Sequence, residues 1–336
     1  MTKPVEDPTQ YVLDEAMAYI HAAALRAATV LGVADHLVDG PRAAGELAEL
    51  TGSHGPFLRR VLRLLATRGI FREDDDGRFH LTPRADVLRA DAPGTIRAGV
   101  LAVTSEVYWQ STGDLTEAVR HGELAFDRRY GKPFFSYLVA HPDVGAMFNE
   151  GMANFSAGEV ERIVASYDFP ASGVLVDLGG GFGGLLLAVL RARPGLHGVL
   201  FDRETVLAGH VLGRLGADDR WEAVAGDFFE AVPAADLYLV KNVLHDWTDD
   251  ECVRILTNCR RAMNPGAKLL IAELVLPEGN EPHYGKVLDL FIMLLLPGLE
   301  RTRAEYERLF DQAGLRVTRM LPTPSAYSLI EAEAAN

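Results

Sequence analysis

The run Gly173-Val-Leu-Val-Asp-Leu178 followed by Gly179-Gly180-Gly181-Phe182-Gly183-Gly184 limits the possible folds more than any other stretch of the chain. A short, continuously apolar segment that ends in glycines is a strand buried on both faces and turning into a helix. The segments after it keep alternating. LLLAVLRAR is a helix, GVLFD, WEAVAG and ADLYLVKNV are strands, CVRILTNCRRAM is a helix stopped at Asn264-Pro265-Gly266, and KLLIAELVL is a strand. Alternation of this kind predicts a mostly parallel, Rossmann-like α/β sheet with helices on both faces. The last two strand-like pieces, LRVTRMLPTP and AYSLIEAEA, flank a Pro-containing turn and predict an antiparallel pair at the sheet edge.

The first half follows a different pattern, almost wholly helical from about Tyr11 to Pro170. VLDEAMAYIHAAALRAATVLGVADHLV has apolar faces that require a partner surface. AAGELAELTG and GPFLRRVLRLLATRG follow as helices stopped at Gly52 and Gly69, and IFREDDDGRFHLT reads as a β-hairpin. Helix, turn, helix, hairpin is the order of a winged helix. The predicted organisation is an N-terminal helical, winged-helix domain over 1–105, a helical linker over 106–170, and an α/β domain over 171–336. Arg59, Arg60 and Arg63 on the second helix suit phosphate contact, but the hairpin tip Glu73-Asp74-Asp75-Asp76 would repel it. A structural or dimerisation module is therefore the favoured reading over a DNA-binding regulator.

Composition supports that choice. The 336 residues carry a formal net charge of −14, which disfavours nucleic acid and anionic membrane as partners. No apolar run reaches the ~20 residues of a membrane helix, and no secretory signal pattern opens the chain, so the expected compartment is the cytoplasm. Cys252 and Cys259, the two cysteines, stand two helical turns apart and read as core thiols. The histidines show no metal-ligand spacing, and no metal is expected.

The chemistry-bearing residues fall at strand ends. Five glycines at a strand-to-helix turn let a ligand approach the backbone. Gly179, Gly181 and Gly184 match a dinucleotide fingerprint, and Asp202 at the end of the next strand suits a ribose. NAD and any other adenosine ligand fit equally, which leaves a nicotinamide oxidoreductase as the alternative. Asp227-Phe228, at the following strand end, would hydrogen-bond and stack an adenine. His245 ends the fourth strand beside the ligand crevice, with Glu273 inside the apolar KLLIAELVL and Glu300 after Pro297-Gly298. An imidazole near carboxylates is the arrangement of a general base.

Together the helical first half, LVDLGGGFGG, GDFF, VKNVLHDWTDDEC, IAELVLP and LERTRAEYERLF resemble the S-adenosylmethionine-dependent O-methyltransferases of the caffeate and hydroxyindole type, including bacterial members that tailor aromatic natural products. The resemblance implies S-adenosylmethionine as cofactor, held by Gly179, Asp202, Asp227, Phe228 and Lys241, with His245 as catalytic base flanked by Glu273 and Glu300. Phe148-Asn-Glu-Gly-Met152 matches the helix that lines the family's active site, which adds Met152 and Ser156 as cofactor contacts. It further implies a small aromatic acceptor and a homodimer interlocked through the N-terminal helices. Relatives on this fold also carry out C- or N-methylation, hydroxylation or decarboxylation. At 297–299 the chain departs from the family pattern, with Pro-Gly-Leu where a glycine pair and a basic residue are usual. Trp109, Phe134, Phe135, Phe148, Met152, Phe155 and Met293 are candidate pocket residues.

Overall fold

The computed structural model describes residues 7–335, which pack as two units. One comprises the described residues up to Tyr108 together with Glu150–Phe155; the other comprises Trp109–Asn149 and the described residues from Ser156 on.

The N-terminal unit contains α1 (Pro8–Ala16), α2 (Ala18–Val30), β1 (Arg42–Ala43), α3 (Ala44–Thr51), α4 (Gly55–Thr67), β2 (Phe71–Glu73), β3 (Arg78–Leu81), α5 (Pro83–Asp86) and α6 (Arg97–Val103). Its three strands form an antiparallel sheet in the order β1-β3-β2, the wing of a winged helix. On α4, Leu58, Leu62 and Leu65 recur at helical spacing and are buried, which puts the arginines between them outside. Gly52 ends α3 in the left-handed region at φ 62°, where glycine carries no Cβ penalty. Glu73 of the wing lies 3.2 Å from Arg59 and 3.6 Å from Arg63, so this acid is matched to the helix arginines themselves.

The helices α7 (Glu106–Gly113), α8 (Leu115–His121), α9 (Ala125–Tyr130), α10 (Phe134–Ala140) and α11 (Pro142–Ser166) lead to the large sheet. Its elements are β4 (Ser172–Leu178), α12 (Gly184–Ala192), β5 (Gly195–Asp202), α13 (Glu204–Leu207), β6 (Trp221–Ala225), β7 (Ala235–Lys241), α14 (Asp249–Ala262), β8 (Met263–Glu273), α15 (Tyr284–Met293), α16 (Arg303–Gln312), β9 (Leu315–Pro322) and β10 (Ser328–Ala334). The seven strands run in the order β6-β5-β4-β7-β8-β10-β9. The first five are parallel, and β10 is antiparallel to both of its neighbours. This is the expected sheet with the expected antiparallel edge.

Period-two alternation explains why these strands are apolar throughout. Val176 and Leu178 join Val240, Ile271 and the buried side of α14 and α16, whereas Leu175, Leu239 and Leu270 join α12 on the opposite face. A large apolar side chain contributes roughly 1.5–3 kcal/mol when fully buried, and both faces of the sheet draw on that term. Two boundaries differ from expectation. Asn264-Pro265-Gly266 lies within β8, where the pairing with β7 shifts register between Ala235 and Leu237. Glu273 is the last residue of β8 and not an interior one.

Candidate active site

β4 and β7 are neighbours, yet the chain runs from β4 outward to β5 and β6 before crossing back to β7. That reversal is the topological switch point, where the carboxyl ends of the strands leave a crevice for ligand. Gly179, just past β4, has φ 65°, and a Cβ there would stand 2.8 Å from Val243 and 3.8 Å from the Phe228 ring. Only glycine lets the loop lie so close. Its N–H donates to the Phe201 carbonyl at 2.8 Å, which ties the loop to the end of β5. Gly181 N–H and Arg203 N–H donate to the two Asp202 oxygens at 2.9 and 2.7 Å. Each oxygen retains a second lone pair for a hydroxyl donor.

Asp227 is exposed, and its Oδ1 accepts from Phe229 N–H at 2.8 Å, closing the turn after β6. The Phe228 ring meets Phe229 edge-on at 4.9 Å and Trp247 at 5.9 Å. Asn258 holds that turn by donating to the carbonyls of Phe228 and Phe229. A cavity of about 280 Å³ opens beside it, lined in part by Phe201, Gly226, Asp227 and Val232.

Lys241 ends β7, and its ammonium lies 5.1 Å over the Tyr327 ring. Burial lowers its pKa, while Glu273 and Asp177 oppose the shift. The next residue, Asn242, sits at φ 52°, outside the usual region for a side-chain-bearing residue, and its Nδ2 donates to Tyr327 Oη at 2.8 Å. Asp177 is buried with Oδ2 lacking a hydrogen-bond partner, and burial together with the Asp202 charge pushes its pKa up to about 7.

His245 follows in a short 3-10 turn, Leu244–Asp246, and is buried. Nδ1 lies 2.8 Å from Glu300 Oε1 and 3.6 Å from Glu273 Oε2. A carboxylate only accepts, so the Nδ1–H donates to Glu300, and Nε2, on the opposite side of the ring and 3.4 Å from Asp246 Oδ1, is the nitrogen left to exchange a substrate proton. Glu273 Oε1 accepts from Val243 N–H and Leu244 N–H, both at 3.0 Å, and so anchors the peptide leading into the histidine. The two acids thus divide the work: Glu300 holds the ring and Glu273 holds the backbone. Despite the unusual residues at 297–299, the Glu300 loop arrives closer to the imidazole than Glu273 does.

Burial works to discharge the imidazole, but the charges of Glu273, Asp246 and Glu300 outweigh it, and the His245 pKa is pushed up to about 10. Burial likewise pushes Asp246 up to about 6, partly offset by His245, and raises Glu273. Glu273 Oε2 and Glu300 Oε2 are buried without hydrogen-bond partners. The pocket therefore holds surplus buried negative charge, which suits a cationic ligand.

Sequence reasoning passed over several residues here. Asp246 Oδ1 lies 3.4 Å from His245 Nε2. Arg301, 1% exposed, donates to the carbonyls of Leu244 and Trp247 on either side of the histidine. A Cβ on Gly298 would lie 2.0 Å from the His245 carbonyl oxygen, so the Glu300 loop packs directly on the histidine peptide. Their sequence signal was adjacency to His245 and Glu300, but the contacts of Arg301 and Gly298 span about fifty residues.

Other candidates scatter. Phe134 is buried among Phe126 and Phe148, a core position, whereas Phe135 stacks on Trp247 at 5.7 Å beneath the Arg203 guanidinium. Met293 is half-buried at the end of α15, and Trp109 is 39% exposed. Met152 and Phe155 belong to the α11 stretch in the N-terminal unit, where Phe155 packs on Gly99. Ser156, half-buried, begins the part of α11 assigned to the second unit.

A glycine cradle, a strand-end carboxylate with free lone pairs and an anionic pocket fit a nucleoside that carries a positive charge, and S-adenosylmethionine is such a group. The sheet order and the buried histidine define a methyltransferase of the α/β type. The chain belongs to the S-adenosylmethionine-dependent O-methyltransferases: residues 112–316 match the O-methyltransferase domain, and residues 13–91 the O-methyltransferase dimerisation domain. It is 43% identical over 311 residues to the phenazine O-methyltransferase PhzM of Lysobacter antibioticus, covering 92% of this chain and 91% of that one. Among solved structures it resembles CalO1, a methyltransferase in calicheamicin biosynthesis solved with S-adenosylhomocysteine, at 45% identity and TM-score 0.89, covering 98% of this chain and all of that one. It also resembles NcsB1, an O-methyltransferase from neocarzinostatin biosynthesis solved with S-adenosylmethionine and 2-hydroxy-5-methyl naphthoic acid, at 34% identity and TM-score 0.79, covering 93% and 95%. Among the described residues no helix is long and apolar enough to cross a membrane.

Proposed function

We propose that this enzyme methylates a hydroxyl of a small aromatic natural product, with His245 Nε2 as the general base. The observation that carries this reading is the Nδ1 contact to Glu300, which occupies that nitrogen and makes Nε2 the one that takes the substrate proton once the cofactor's positive charge has displaced the proton held by the ligand-free ring. S-adenosylmethionine, when bound, supplies an electrophilic methyl group on a sulfonium. Gly179, Asp202, Asp227, Phe228 and Lys241 are proposed to hold it, with Met152 and Ser156 contributing from α11. His245 receives the hydroxyl proton, Glu300 stabilises the resulting imidazolium, and Glu273 keeps the histidine turn in place. General-base catalysis of this kind contributes roughly 10²–10⁴-fold, and alignment of oxygen, methyl carbon and sulfur supplies the larger share. No metal takes part in the proposed reaction. Donor atoms of His245, Glu273 and Glu300 lie within 4.8 Å of one another, but Nδ1 is engaged by Glu300 and Glu273 Oε1 by backbone N–H groups.

One relative is a phenazine O-methyltransferase and another, NcsB1, was solved with 2-hydroxy-5-methyl naphthoic acid, which supports an aromatic acceptor. Exposed Leu13 and Met17, on and just after α1 in the segment matched by the dimerisation domain, support a homodimer. The free thiols of Cys252 and Cys259, both buried, suit the reducing cytoplasm. A panel of hydroxylated phenazines, naphthoates and anthraquinones incubated with methyl-labelled cofactor tests the function. Label should appear on oxygen in at least one of them and persist when a chelator is present. Labelling confined to nitrogen or carbon, or abolished by the chelator, contradicts the reading.

A further inference from the structure

We propose that Arg301 is the positioning residue of this site, a buried fork that sets the spacing between the histidine turn and the Glu300 loop. The proposal rests on the assignment of His245 and Glu300 above. The guanidinium uses its donors in two directions. Nη1 donates to the Leu244 carbonyl at 2.9 Å and the Leu299 carbonyl at 3.2 Å. Nη2 donates to the Trp247 carbonyl at 2.8 Å and to Asp249 Oδ1 at 2.8 Å, and Nε donates to Asp249 Oδ1 at 3.0 Å. All five N–H donors of a guanidinium are thereby used.

The acceptors are what make this more than a buried ion pair. Leu244 and Trp247 bracket His245, and Leu299 immediately precedes Glu300. One planar group therefore fixes both ends of the His245–Glu300 hydrogen bond. Asp249, the only carboxylate among its partners, is 62% exposed in its side chain, so the guanidinium's remaining bonds go to backbone carbonyls. Two further contacts lock the same loops. Gly298 lies against the peptides from His245 to Trp247, and Asp289 Oδ1 accepts the Glu300 N–H at 2.9 Å. A lysine carries a similar charge but a single nitrogen, and cannot reach four acceptors spread over a plane.

The test compares wild type, Arg301→Lys and Asp249→Asn. Three quantities are measured: kcat for methyl transfer across pH, affinity for S-adenosylhomocysteine, and the titration of His245 in protein labelled with ¹⁵N-histidine. Arg301→Lys should lose about tenfold or more in kcat, in line with the sensitivity of reaction geometry to small displacements. Its cofactor affinity should stay near wild type and its His245 titration midpoint should fall. Asp249→Asn removes the exposed anchor only; it should fold and move the pH profile the same way by a smaller amount. A folded Arg301→Lys with wild-type kcat and an unchanged His245 titration overturns the proposal. If Arg301→Lys fails to fold, an unchanged pH profile in Asp249→Asn overturns it equally. Failure of the base assignment itself would appear elsewhere, as a His245→Gln variant that turns over normally, and in that case the ring titration still decides whether Arg301 positions it.

Discussion

At the scale of single residues, the governing fact is charge. His245 stands among Glu273, Glu300 and Asp246, with Tyr306 of α16 packed nearby and raised in pKa by burial and by the two glutamates. Three carboxylates hold a proton on the imidazole of the ligand-free enzyme well above neutrality. A methyl donor that reacts with the oxygen His245 deprotonates has to bind close to that ring, and its sulfonium brings a permanent positive charge into the same anionic surroundings. Cofactor cation and histidine proton then compete. Calorimetry near pH 8 in buffers of different ionisation enthalpy should show proton release on binding S-adenosylmethionine and much less with S-adenosylhomocysteine, whose sulfur is neutral. Identical, buffer-independent enthalpies for the two would contradict this coupling. The sign for stability follows from the same shift. A folded-state pKa near 10 stabilises the ligand-free protein fully below the unfolded value of about 6.5, and that contribution is lost as pH climbs through 10. Asp202 acts on a different quantity. Asp202→Ala should weaken S-adenosylhomocysteine binding by about tenfold or more, since a hydrogen bond to a charged group contributes roughly 1.5–3 kcal/mol, and unchanged affinity would remove Asp202 from the ribose site.

At the scale of elements, the site depends on two loops from distant parts of the chain being pressed together. Gly298→Ala places a methyl group 2.0 Å from the His245 carbonyl oxygen, among backbone atoms that cannot rotate aside. Overpacking of this kind costs typically 1–3 kcal/mol, and here the relief is movement of the Glu300 loop away from the histidine. The expected result is a lower melting temperature together with a loss of kcat out of proportion to it. A variant with native activity would show that the loop contact does not matter. This contact also marks the limit of what the sequence discloses. The glycine loop, the strand-end acids and the helix stops at Gly52 and Gly69 are local, written in neighbouring residues, and were legible. Gly298 and Arg301 were not, because their partners lie about fifty residues away and no periodicity encodes that distance. Asn242 was missed for a related reason: its left-handed backbone is stabilised by Tyr327, which comes from the turn between β9 and β10. The early start of β8 escaped notice because Asn-Pro-Gly punctuates helices and bulged strands alike.

At the scale of the whole molecule, the described residues pack as two units, one a winged helix and the other a doubly covered sheet together with the helices of Trp109–Asn149 and the end of α11. The wing acid Glu73 pairs with Arg59 and Arg63 of α4, consistent with a module that does not need phosphate to balance its charge. Its match to the dimerisation domain and the exposed Leu13 and Met17 support the proposed homodimer. Sedimentation should give a dimer, and Leu13→Asp with Met17→Asp should give a monomer that retains its secondary structure; a wild-type monomer at micromolar concentration would contradict the expectation. Methyl transfer itself is decided by a single comparison. Single-turnover rates with a phenolic acceptor and labelled cofactor, taken for wild type and His245→Gln from pH 7 to pH 10, should differ by roughly 10²–10⁴-fold at pH 7 and converge as the phenol ionises by itself near ~10. Equal rates at pH 7 would show that His245 is not the base.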